Sequence, residues 1–349
     1  MRIGLGVRAR STDLHDALGF VERTADLPVE ALWSVATPGH DPFVVASQAW
    51  SRRQALGRPV LTGIGVVPIG EWRLGSLASA AATVSELQGG GFRLGLGAGR
   101  LDSLAWRRAH GIPASARPVA ALREATLALR ELLAGRPTST PGALETLVEV
   151  GIGVTPPAVP LFLGAAGPAM LALAGEVADG VYGAALAPAD LPAVREALAE
   201  ARRGSALTEP VQVCVAQPLV VAEDGKVARG RLVEQAAALV LPIPGLARDR
   251  GFHGQLQRLG FGADLEILER GRSEGTDLGS LAPRLSPAFV ARLGIAGTPD
   301  EVGDQLAAYG GLADELSLSV ATDTDVNLLA RALDHARARL NDTNPREEA

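Results

Sequence analysis

Two short stretches join an apolar strand to a loop of glycine and alanine: Phe92-Arg-Leu-Gly-Leu-Gly-Ala-Gly-Arg100 and Pro160-Leu-Phe-Leu-Gly-Ala-Ala-Gly-Pro-Ala169. Small residues just past a strand leave room for a bulky ligand, and their bare backbone N–H groups can hold an anion. In the second stretch Pro168 suits the first position of a helix, where its missing N–H costs nothing. The free N–H groups of that turn, behind Gly164, Ala165, Ala166 and Gly167, could then take a phosphate. A tight strand-to-helix turn, with glycine only relieving crowding, would give the same letters. Gly95-Leu-Gly-Ala-Gly99 lacks the third glycine and the acidic ribose reader of a dinucleotide fingerprint. A helix N-terminus contributes roughly 0.3–1 kcal/mol to anion binding when exposed and about 2 kcal/mol when partly buried. Micromolar affinity needs roughly 8 kcal/mol. Such loops therefore orient a phosphate-bearing cofactor. Either burial of its ring supplies most of the affinity, or it binds weakly and exchanges as a cosubstrate.

Groups able to move a proton lie elsewhere. His40-Asp41 follows the second expected strand, and a histidine titrates near neutrality and can move a proton as a hydride is transferred. Asp41 has a competing role as the cap of a helix that begins at Pro42. Glu71-Trp72-Arg73 follows the third strand and Trp106 the fourth. An indole there could stack on a ring, wall a pocket or plug a barrel mouth. His40, Glu71 and Trp72 are the catalytic candidates. Arg100 could add a charged donor or be a solvated arginine. Trp33 and Trp50 read as core, His110 and His253 as ordinary loop residues, and His15 and His335 as solvated helix residues. Cys214, the single cysteine, alternates with valines and reads as a core thiol. One cysteine and five dispersed histidines give neither a disulfide nor a metal-ligand spacing. The chain has no Gly-x-x-x-x-Gly-Lys phosphate loop, no His-Glu-x-x-His zinc helix and no Gly-x-Ser-x-Gly elbow.

The elements that must position these residues repeat one unit. Buried strands are expected at 3–7, 31–35, 60–67, 92–96, 160–164, 180–184, 211–221 and 315–320. Helices are expected at 14–25 (capped by Ser11 or Thr12), 42–56, 76–87, 119–134, 169–174, 191–203, 226–239 and 326–340. Eight such pairs are best satisfied by an α/β fold of the TIM (β/α)8 barrel type, with an open doubly wound sheet as the alternative. Residues 135–160 should carry a hairpin or irregular loop. Residues 242–297 form an insertion before strand eight, part helical and expected to lie over the active face as a lid. Residues 1–341 read as one domain and 342–349 as a polar tail. With 349 residues, 47% of them hydrophobic, the chain can bury a large core without a cofactor. A net charge of -6 argues against nucleic acid and acidic membranes as partners. With no apolar run of signal-peptide or membrane-spanning kind, the expectation is a soluble cytoplasmic protein.

Further motifs occur in a fixed order: Ala31-Leu-Trp-Ser34, Gly39-His-Asp-Pro-Phe43, the two glycine stretches, Leu173-Ala-Gly-Glu-Val-Ala-Asp-Gly180 and Gly297-Thr-Pro-Asp-Glu-Val302. In that order and spacing the chain resembles the bacterial-luciferase-like superfamily of flavin- and deazaflavin-dependent oxidoreductases over nearly its whole length. The resemblance implies a TIM-type barrel with the cofactor at the C-terminal ends of the strands. It implies a non-prolyl cis peptide near Gly65-Val66-Val67, and Gly65, Val66, Gly97, Ala98 and Gly99 beside the cofactor, with Gly164 to Gly167 at its phosphate. Gly39 to Phe43, Trp106 to Pro118 and Arg123-Glu124 look more like deazaflavin members, so coenzyme F420 is the implied cofactor and FMN the alternative. F420 implies two-electron hydride transfer to or from a small organic substrate, whereas FMN would allow oxygen activation and monooxygenation. Deazaflavin members carry an Asp-His pair after the strand-two tryptophan region. Here that place reads Val35-Ala-Thr-Pro38, so His40 is an offset candidate. This departure keeps open a cofactor-free, non-catalytic barrel, or a phosphate-ligand enzyme without a redox role. The superfamily includes dimers, so a homodimer is an expected assembly.

Overall fold

The computed structural model describes residues 1–7, 14–35, 39–101, 103–113, 116–242 and 251–343. Eight parallel strands carry the fold: β1 (Arg2–Val7), β2 (Ala31–Ser34), β3 (Leu61–Pro68), β4 (Phe92–Gly97), β5 (Leu161–Gly164), β6 (Gly180–Ala184), β7 (Gln212–Val221) and β8 (Glu315–Ser319). Each pairs with the next and β8 pairs back onto β1, so the sheet closes. This is the expected (β/α)8 barrel. Closure leaves no edge on the ring, and strands buried on both faces read as near-continuous apolar runs. Outward residues such as Leu32, Leu94, Val181, Val213 and Leu316 are buried against the helices in the main core.

Local chemistry sets the helix ends. Asp41 accepts from the backbone N–H groups of Phe43 and Val44 and caps the helix Pro42–Ala55, its structural role. Gly89, at φ 66°, ends the helix Leu74–Gln88 in the left-handed conformation that glycine adopts freely. The Ser11 or Thr12 cap lies outside the described residues. Two helices were not expected. Leu104–Ala109 is capped by Ser103, and Pro299–Ala307 begins with a reciprocal Thr298–Glu301 capping box. Both are too short to show much periodicity. The helix after β5 also runs further than expected, over Pro168–Val177.

The segment before β5, expected as a hairpin or an irregular loop, is a hairpin, Thr138–Pro141 against Thr146–Val150. Its turn closes on Glu124, whose carboxylate accepts from the backbone N–H groups of Gly142, Ala143, Leu144 and Glu145. The insertion is part helical, with helices Gly251–Arg258, Gly262–Ser273 and Pro287–Leu293. Its Leu268, Leu281 and Phe289 form a separate apolar cluster with Leu232 and Val233 of the helix Gly225–Val240. The described part of the insertion therefore braces that helix; residues 243–250 of the expected lid lie outside the described residues. A short strand, Ile295–Gly297, adds to the outer end of β7.

Candidate functional site

Inside the barrel the two halves are built differently. The N-terminal half is filled by a cluster that includes Trp33, Phe162, Tyr182 and Cys214. Glu315 on β8 accepts from Arg93 at 2.6 and 3.2 Å, from Arg2 Nε at 3.1 Å and from Trp33 Nε1 at 2.5 Å. The Arg93 guanidinium also lies 4.3 Å from the Trp33 ring centroid. Burial pushes the Cys214 thiol well above its usual range, so it stays neutral as a core residue. Tyr182 Oη lies 2.9 Å from Ser317 Oγ. Gly63, Gly65 and Gly180 admit these rings: a Cβ there would lie within 2.6 Å of Trp33, Tyr182 and Phe162 respectively.

The C-terminal half is bare. Its inward positions include Gly6, Gly97, Gly164, Ala184, Ala216 and Ser319 by strand alternation. The Gly65–Val66 peptide is cis, as the resemblance implied, at the point where the β3–β4 register shifts between Ile64 and Val67. The half-buried Val66 side chain lies across β4 and β5. A Cβ on Gly95, Gly97 or Gly164 would come within 2.9, 2.5 or 3.4 Å of its methyl groups. At Gly95 the carbonyl oxygen of Ile64 is nearer still, at 2.3 Å. The β4 glycines therefore make room for β3. Ala98 is half-buried, and the exposed Gly99 turns at φ 58° beside Pro68.

The loop after β5 differs. Gly167 precedes the helix Pro168–Val177 at φ −98°, and no side chain caps the helix. A Cβ on Gly167 would meet nothing within 4 Å among the described residues. Neither the backbone conformation nor packing against the described residues asks for glycine there. Beside this loop, Ala165 is buried while Gly164 and Ala166 are half-buried. At the end of β6, Ala185 is held at φ 57°, a left-handed conformation costing an alanine roughly 1–3 kcal/mol and typical of functional rims.

The expected proton-handling residues do not converge. His40 is exposed and has no hydrogen-bond partner among the described residues. Glu71 is exposed at the end of a single turn, Ile69–Glu71, and Trp72 packs edge-on against Phe43 at 5.2 Å. These two line a cavity of about 150 Å³ with His110 and Glu145, and His110 stacks on Trp106 at 4.0 Å. Arg123 pairs with Glu176 and Glu124 holds the hairpin, so both serve the framework. Arg93 and Glu315 were not among the expected site residues, although a charge at an inward position of an otherwise apolar strand was a usable signal. Nor was Ala185, for which the sequence carries no signal.

A family model described as luciferase-like monooxygenase matches residues 1–315. The chain belongs to that family. A 5,10-methylenetetrahydromethanopterin reductase of Archaeoglobus fulgidus is 30% identical over 233 residues, covering 66% of this chain and 67% of the relative. A coenzyme F420-dependent tetrahydromethanopterin reductase from Methanopyrus kandleri shares the fold, with a TM-score of 0.72 and 21% identity over 96% of each chain. So does an F420-dependent secondary alcohol dehydrogenase in complex with an F420–acetone adduct, with a TM-score of 0.70 and 16% identity over 97% of this chain and 98% of that one. Among the described residues of this luciferase-like protein, no helix is long and apolar enough to cross a membrane.

Proposed function

We propose that this luciferase-like barrel, a single domain over residues 1–341 with residues 242–297 inserted, transfers a hydride between coenzyme F420 and a small organic substrate at its C-terminal mouth. One observation carries the reading: the helix turn after β5 has no side-chain cap, and the glycine before it faces open space. Packing of the described residues gives no reason for that bareness, whereas a phosphate placed there meets N–H donors and the positive end of a helix. The reductase and dehydrogenase relatives support F420 as the cofactor. Gly164, Ala165, Ala166 and Gly167 would hold its phosphate, and Gly65, Val66, Gly97, Ala98 and Gly99 would border its ring.

F420, when bound, supplies a ring carbon that gives or takes a hydride, two electrons at once. The chain's own residues set the conditions. Val66 gives the mouth an apolar floor, and the Trp33–Tyr182 layer beneath it keeps water from entering through the barrel. His40 can hold or release a proton at an imidazole nitrogen. Glu71 and Trp72 shape the wall beyond β3. General acid–base catalysis contributes on the order of 10²–10⁴-fold. His40→Ala should therefore slow hydride transfer by about a hundredfold or more, and unchanged turnover removes His40 from the mechanism.

The family's monooxygenase description favours a second reading, FMN-dependent oxygen activation. NAD(P)H-dependent oxygen uptake with FMN, and none of the F420 reactions, would decide for it. A barrel that binds neither cofactor would be non-catalytic. The reading has a small molecule as substrate and no nucleic-acid or membrane partner. It has the protein cytoplasmic, alone or as a homodimer.

A further inference from the structure

The segment after β6 is held more firmly than a turn requires. Ala185 sits at φ 57°, which an alanine keeps only when its surroundings impose it. The carbonyl of the next residue, Leu186, accepts from Gln217 Nε2 at 2.7 Å and from Tyr309 Oη at 3.0 Å. The same Nε2 donates to Tyr309 Oη at 3.0 Å, closing a ring of three hydrogen bonds. All three residues are buried. Burial pushes the Tyr309 phenol up to about 12, so it remains a donor at any ordinary pH. Three residues beyond Ala187, the Asp190 carboxylate accepts from the Ala187 N–H at 2.9 Å and from Arg292 of the insertion.

Gln217 is not the residue that stability alone would select. Its Oε1 is buried with no hydrogen-bond partner among the described residues. An orphaned buried acceptor is destabilising, and a leucine of similar volume would carry none. Position matters too. Gly183 on β6 lies against the neighbouring loop, since a Cβ there would be 3.3 Å from the carbonyl oxygen of Ala165. The half-exposed Ala184 and Ala185 thus continue the rim formed by Gly164 to Gly167.

We infer that Gln217 and Tyr309 are positioning residues: from behind the barrel wall they clamp the Leu186 carbonyl, lock Ala185 in its left-handed conformation and fix the rim beside the β5 loop before the cofactor arrives. This rests on the reading of that rim as the F420 site. A rim already ordered does not have to be ordered on binding, which strengthens the affinity. Arg292 extends the same clamp into the insertion.

The test uses the full chain with Gln217→Leu and Tyr309→Phe, read by thermal unfolding, by amide hydrogen exchange over residues 184–187 and by F420 titration. Gln217→Leu should leave Tm unchanged or raised, speed exchange over the rim and weaken F420 binding by about fivefold, the net contribution of one ordinary hydrogen bond. Tyr309→Phe should move exchange and affinity the same way but less, because Gln217 still holds the carbonyl. Unchanged exchange in both variants overturns the clamp whether or not F420 binds. Faster exchange with unchanged affinity, in a protein whose wild type binds F420, overturns its role in the site. Affinity that falls only in step with Tm marks a structural role and also overturns it. Failure of the wild type to bind F420 overturns the reading of the rim itself, and exchange then judges the clamp alone.

Discussion

At Gly95 and Gly97 on β4 an added Cβ would lie 2.3 Å from the Ile64 carbonyl oxygen and 2.5 Å from a Val66 methyl, whereas at Gly167 after β5 it would meet nothing within 4 Å among the described residues. The two stretches share their letters and almost their spacing. On β4 the bareness answers a demand from within the protein, because the neighbouring β3 shifts register there and its Ile64 carbonyl and Val66 side chain need the volume. After β5 the bareness of Gly167 answers nothing among the described residues and leaves a helix turn without a side-chain cap. A glycine is evidence for a ligand only after the chain's own claims on the space have been examined.

Three substitutions separate the two regions. The largest effect should come from Arg93→Ala, within the β4 stretch, which strips Glu315 of its main buried partner. Breaking such a pair costs about 3–5 kcal/mol, to be read from urea unfolding. A loss below about 1 kcal/mol would mean the interior network does not anchor β4. Next comes Gly95→Ala, which drives a methyl group into a backbone carbonyl that cannot rotate away. Overpacking of this kind costs about 1–3 kcal/mol, and full stability would break the contrast. The smallest change in stability should be that of Gly167→Ala, within about 0.5 kcal/mol of wild type, because the new methyl enters open space. Its effect should appear instead as F420 affinity weakened by about fivefold. A Gly167→Ala protein that is destabilised but binds F420 normally would put the two loops in the same class.

Much of the frame was legible in the sequence, because buried strands and amphipathic helices announce themselves by period. All eight barrel strands fall within a residue or so of their expected limits, and of the hairpin or irregular loop expected at 135–160 the structure has a hairpin. The misses have physical causes. The helix Leu104–Ala109 is little longer than one turn and leaves no pattern. That Gly95 and Gly97 also give room to Val66, about thirty residues earlier in the chain, is something spacing along one stretch cannot reveal. Arg93 and Glu315 stood in plain view as charges among apolar strand residues, but only closure of the barrel brings them together. Gln217 interrupts an apolar strand in the same manner. Ala185 could not have been found, since its conformation is imposed from outside and alanine carries no signal for it. His40, Glu71 and Trp72 were readable as loop residues after β2 and β3, though not as separate groups.

The most direct measurement is equilibrium titration of the intact protein with F420, and in parallel with FMN, followed by tryptophan fluorescence. The account predicts saturable F420 binding at micromolar concentration, with FMN clearly weaker. Absence of F420 binding below millimolar concentration would contradict it.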